Sequence, residues 1–140
     1  MSDRLGRTFP ARRAALPQVD AFLAEACAAA RLPRESCLRL TLLVEELFTN
    51  TVVHGHGRDS DAPVRLECDV APGRIALTYE DTAPAHDPFA QVTAPDSELT
   101  VEDRPVGGLG VLLVQAMARQ IEYRRAGERN RISLVIGAAP

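Results

Sequence analysis

The chain has 140 residues, of which 46% are hydrophobic and 25% charged, and its net charge is −3. That is an ordinary globular balance for one domain, without the basic field that nucleic acid or an anionic membrane selects. No apolar run approaches the ~20 residues of a membrane span, and the opening MSDRLGRTFPARR lacks the apolar centre of a secretory signal, so a cytoplasmic protein is expected.

Cys27, Cys37 and Cys68 have neither disulfide-framework nor zinc-knuckle spacing and read as reduced core thiols. His54, His56 and His86 form no metal-ligand spacing with them.

In chain order, Arg4 to Phe9 is strand-like. Leu16 to Leu32 places Val19, Phe22, Leu23, Ala26 and Ala30 at helical spacing. Pro33 punctuates, and a longer helix is expected from Arg34 to His54, stopped by Gly55-His56-Gly57. Val64 to Val70 and Arg74 to Glu80 alternate apolar and polar around Ala71-Pro72-Gly73, as a β-hairpin does. A long Pro-, Asp- and Gly-rich stretch follows to about Leu109, the kind of loop that forms a functional lid or stays disordered. A third helix is expected over 110–119. A second hairpin, Ile121 to Arg125 and Arg131 to Ile136, ends the chain. This order predicts an α+β protein, a two-layer α/β sandwich with helices on one face of a mostly antiparallel sheet.

Three segments carry candidate chemistry. The second helix is apolar nearly all round, which predicts burial on most sides, yet Arg39, Glu46 and Asn50 share one stripe. Glu46 and Asn50 are four apart and so stack on one face. Glu46 suits the acceptance of a hydroxyl proton, and the Asn50 carbonyl oxygen suits a hard cation such as Mg²⁺. A solvent-facing stripe is the alternative. Asp81 stands where an alternating strand gives way to loop; it is either a turn residue or an acceptor for an exocyclic amine such as that of adenine. Gly107-Gly108-Leu109-Gly110 opens the third helix and is either a hinge or a backbone cradle for phosphate. Arg124, Arg125, Arg129 and Arg131 read as a solvated hairpin tip.

In this order the segments resemble the GHKL ATPase superfamily. Glu46-Leu47-Phe48-Thr49-Asn50 with Val53-His54-Gly55 is similar to its N box, Asp81 to Pro88 to its first glycine box, and Gly107 to Gly110 to its second. Within the superfamily the wording E-x-x-x-N-x-x-x-H-G resembles the anti-sigma factor serine/threonine kinases of bacterial partner-switching systems. The resemblance covers about residues 35–137.

It implies a Bergerat-type sandwich over residues 1–140, with an ATP lid at about 82–109 and ATP and Mg²⁺ as cofactors. Glu46 would be the general base, Asn50 the metal ligand and Asp81 the adenine reader. Gly107, Gly108, Leu109 and Gly110 would form the phosphate cradle, with Gly108 and Gly110 passing backbone amides to the phosphates. The implied substrate is a Ser or Thr on a STAS-type antagonist, the second partner a sigma factor or comparable regulator, and the implied state a homodimer.

Two departures stand out. The box that usually reads D-x-G-x-G is Asp81-Thr82-Ala83-Pro84-Ala85 here, and the lid has no clear phosphate-contacting arginine, Arg104 being nearest. The altered box supports a competing reading, a nucleotide-binding module that sequesters a partner without kinase activity; the retained Glu46 opposes it. The detached catalytic half of a histidine kinase is a third reading, opposed by the lack of a preceding helix with a phospho-accepting His.

Overall fold

A computed structural model describes residues 3–85 and 119–137. Within them the elements are β1 (Asp3–Pro10), α1 (Leu16–Ala30), α2 (Arg34–Asn50), β2 (Pro63–Ala71), β3 (Arg74–Asp81), β4 (Arg119–Ala126) and β5 (Arg129–Gly137). Arg13–Ala15 forms a short 3₁₀ turn before α1, and Thr51–Gly55 continues α2 as a π-helix.

The strands form one antiparallel sheet in the order β1-β2-β3-β5-β4. Alternation decides which face of it is buried. Val64, Leu66, Cys68 and Val70 on β2, Ile75, Leu77 and Tyr79 on β3, and Ile132, Leu134 and Ile136 on β5 point inward, with polar residues between them. The core that they form is covered by Val19, Phe22, Leu23 and Ala26 of α1 and by Leu40, Leu43, Val44, Leu47 and Phe48 of α2. This is the two-layer α+β sandwich that the pattern predicts.

Helix ends differ from expectation for local reasons. α1 stops at Ala30, two residues early, because Arg31 adopts a left-handed conformation (φ 51°). The Arg31 and Leu32 amides then donate back to Ala28 and Cys27, and Gly73 of the β2–β3 turn donates to the Ala30 carbonyl. α2 is not buried on most sides: Leu38 and Leu42 are 59% and 50% exposed. One turn apart, they lie on the side that the sheet does not cover, so apolar composition overstated the burial of this helix. β4 starts at Arg119, which the expected third helix claimed as its end; the rest of that helix lies outside the described residues.

The cysteine reading needs correction. Cys27 and Cys37 form a disulfide and only Cys68 is free, its buried thiol pushed up to about 12 by loss of water and then by Asp69. Spacing gave no sign of the bridge, because its geometry comes from the reversal at Arg31–Pro33. That turn brings the end of α1 back over the start of α2, with Cα atoms 5.9 Å apart, a bridging distance. Reduction with dithiothreitol, or Cys27→Ser, should lower the unfolding free energy by ~2–3 kcal/mol, given a closed loop of this size. Urea denaturation with and without reductant checks this; an unmoved midpoint would show that the bridge adds no stability.

Candidate functional site

The C-terminal end of α2 faces the C-terminal end of β3. Glu46 is half-buried, and its Oε1 is buried with no hydrogen-bond partner among the described residues. The solvent-facing alternative therefore does not describe it. Burial raises the Glu46 carboxyl above its usual range, with nearby His54 partly offsetting the rise. One turn on, Asn50 is also half-buried and lines a cleft that contains Asp81. Arg39, on the same predicted stripe, is not part of this group: it pairs with Glu35 at 2.7 Å on the exposed start of α2.

After Asn50 the helix widens into the Thr51–Gly55 π turn, a feature that often marks functional positions in helices. The widened turn brings Gly55 against the Asp81–Ala85 segment. A Cβ on Gly55 would lie 2.8 Å from the Ala83 Cβ, closer than real side chains approach. Hence the glycine that stops the helix also makes room for the alanine that replaces a box glycine.

Asp81 is the last residue of β3 and is only 8% exposed. A buried carboxylate must be hydrogen-bonded, and this one is. Oδ2 accepts from the Thr51 hydroxyl at 2.8 Å; Oδ1 accepts from Asn130 Nδ2 at 2.8 Å and from the Ala83 amide at 3.2 Å. The Tyr79 hydroxyl touches Thr51 Oγ1 and also lies 3.2 Å from the Leu47 carbonyl. Thr51 has one proton, and the charged acceptor is the stronger claimant, so Tyr79 donates to Thr51 and Thr51 to Asp81. Burial holds the Tyr79 phenol far above its ordinary value, which keeps it a donor.

Register explains the other partner. Asn130 opposes Asp81 across β5–β3 and Arg125 across β5–β4, so the three form one cross-strand row at the sheet end, buried at Asp81 and Asn130 and exposed at Arg125. Arg125 donates to the Ala83 carbonyl at 2.9 Å and to Asn130 Oδ1 at 3.2 Å, while Tyr123 donates to the same Oδ1 at 2.6 Å. Asn130 Nδ2 also reaches the Ala83 and Pro84 carbonyls, each at 3.1 Å. Of the four arginines read as a solvated tip, Arg125 is therefore tied to the site, and Arg131 and Arg129 pair with Glu80 at 2.8 and 3.5 Å on the open face.

Sequence reasoning missed Thr51, Tyr79, Asn130 and Arg125. The available signal was an Asn inside an otherwise alternating strand at an inward position. Gly107, Gly108, Leu109, Gly110 and Arg104 lie outside the described residues, as does the lid beyond Ala85.

The cleft bounded by Leu47, Asn50, Thr51, Gly55, Asp81 and Ala83 has a volume of about 20 Å³, room for about one water. Among the described residues no group of three His, Cys, Asp or Glu could hold a metal. The Asn50 carbonyl oxygen, at the lining of this cleft, fits a cation that arrives with most of its oxygen ligands already supplied by phosphate and water.

Two predictions follow from this geometry. Gly55→Ala should cost ~1–3 kcal/mol by overpacking against Ala83, and adding Ala83→Gly should recover most of the loss. Urea denaturation of the single and double variants gives the coupling; additive losses would refute the contact.

For Glu46, the folded state holds its proton more tightly than the unfolded chain, whose value is near ~4.3. Its contribution to stability is present below that value and lost as pH rises through the raised folded value. Glu46→Gln should therefore unfold at a higher temperature than wild type at neutral pH, with the gap closing as pH falls through the window. A gap that is constant from pH 4 to pH 8 would mean that Glu46 is not strained by burial.

Comparison with known proteins agrees with this geometry. The family profile of the histidine kinase-like ATPase domain matches residues 9–136. The serine/threonine-protein kinase BtrW of Bordetella bronchiseptica is 27% identical over 101 residues, covering 72% of this chain and 70% of that protein. In fold, the chain is similar to the Acinetobacter baumannii histidine kinase AdeS, with a TM-score of 0.51 and 14% identity over 95% of this chain and 67% of that one. The described sheet and helices are those of such a domain, and the chain belongs to the histidine kinase-like ATPase family.

Proposed function

We propose that the protein is an ATP- and Mg²⁺-dependent serine/threonine kinase of the anti-sigma type, working in the cytoplasm as a homodimer. Its substrate is a Ser or Thr of a STAS-type antagonist, and its second partner is a sigma factor or comparable regulator. The observation that carries this reading is Glu46: a buried carboxylate oxygen with no partner among the described residues, one turn before Asn50. A module that only bound nucleotide would have no need of an uncompensated acid there. The likeness to a serine/threonine-protein kinase supports the same choice.

Each residue has a separable task. Asp81 accepts the exocyclic amine of adenine on Oδ2, the oxygen that is not already filled by Asn130 and Ala83. The Asn50 carbonyl oxygen would hold Mg²⁺ against the phosphates. Bound Mg²⁺-ATP supplies the phosphoryl group and neutralises the charge that develops on it. Glu46, raised by burial, accepts the proton of the attacking hydroxyl as the new O–P bond forms and the bond to the β-phosphate breaks.

The competing reading, a binder without transfer, draws on the altered box. Labelled ATP and a STAS-type antagonist separate the two. Glu46→Gln should retain nucleotide while transfer falls by ~10²–10⁴, and Asp81→Asn should weaken ADP by ~1.5–3 kcal/mol in calorimetry. Equal labelling by wild type and Glu46→Gln would remove Glu46 from the chemistry. Nucleotide binding with no labelling by wild type would establish the binder.

A further inference from the structure

Asn130 holds a position that neither the motif resemblance nor the comparisons single out. Its side chain is buried, 3% exposed, and spends both ends on the site. Nδ2, with two hydrogens, donates to Asp81 Oδ1 at 2.8 Å and shares its other hydrogen between the Ala83 and Pro84 carbonyls at 3.1 Å each, while Oδ1 accepts from Tyr123 and Arg125. These contacts tie the β4–β5 hairpin to the tip of β3, 49 residues away in sequence.

A carboxylate offers about four acceptor positions, two on each oxygen. On Asp81, Asn130 and the Ala83 amide fill both positions of Oδ1, and Thr51 fills one of Oδ2. One acceptor position is left, on Oδ2. Resting on the nucleotide-binding reading above, we propose that Asn130 is the positioning residue that sets base selectivity. By occupying Oδ1 and fixing the carboxylate, it leaves a single acceptor that an exocyclic amine satisfies and a ring carbonyl repels.

Without Asn130 the consequence is specific. Asp81 would lose its strongest Oδ1 donor, and the Ala83–Pro84 segment two of its hydrogen bonds. Water would then hydrate Oδ1, and a water that donates to Asp81 can also donate to the carbonyl of a 6-oxopurine. Adenine would bind less well and hypoxanthine would be rejected less. A role in packing alone predicts something different: a stability loss that weakens both bases equally.

The test compares ADP with IDP, which differ at the six-position, by calorimetry on the full chain. Wild type should prefer ADP, and Asn130→Ala should lower the ADP-to-IDP affinity ratio about tenfold or more, the size of a lost hydrogen bond to a charged group. Asn130→Asp, similar in size but placing a second carboxylate against Asp81, should bind ADP more weakly than Asn130→Ala. Should either variant fail to fold, Arg125→Gln, at an exposed position, loosens the Asn130 carboxamide and should lower the same ratio by a smaller factor. An unchanged ratio in Asn130→Ala, or in Arg125→Gln where the former does not fold, overturns the inference while leaving nucleotide binding intact. Wild type that binds neither nucleotide overturns the underlying reading and this inference with it.

Discussion

An ionised carboxylate taken out of water must find donors, and Asp81 draws them from every element around it. Thr51 reaches it from the end of the helix, Asn130 from the neighbouring strand and the Ala83 amide from the loop beyond. Tyr79 supports Thr51 from beneath, and Tyr123 and Arg125 support Asn130 from the side. If any first partner were removed, the desolvation penalty would stand uncompensated. Helix, sheet end and loop thus each supply a donor to the same charge.

The same need explains how the chain tolerates an unusual box. Glycines in such a loop allow close approach and positive φ. Here Ala83 approaches closely because Gly55, on the opposing wall, has no side chain. Carbonyls at Ala83 and Pro84 that flexible glycines would leave mobile are held by Asn130 and Arg125. The loop is ordered by hydrogen bonds where glycines would leave it free.

Much of the fold was legible because it depends on period. The alternation in Val64–Val70 and Arg74–Glu80 marked β2 and β3 to within a residue, and helical spacing marked α1 and most of α2. Asp81 was legible from its place at the end of an alternating run. Asn130 was not, because its meaning lies in register with residues far away in sequence. Arg31 hid its left-handed turn, since nothing in an arginine advertises positive φ. The Cys27–Cys37 bridge was hidden with it, as that turn sets their approach. The exposed Leu38 and Leu42 misled for a different reason: composition reports hydrophobicity, not which side a sheet covers.

The bridge also has a mechanical meaning. It fastens α2 to α1 near the start of α2, whereas Asn50 sits thirteen residues later, roughly 20 Å along the axis. Past Asn50 the helix widens into its π turn and loses regular pitch. The two ends of α2 are therefore held by different means: a covalent link fixes its start to α1, whereas Thr51 and Gly55 fix its end by a hydrogen bond to Asp81 and close contact with Ala83.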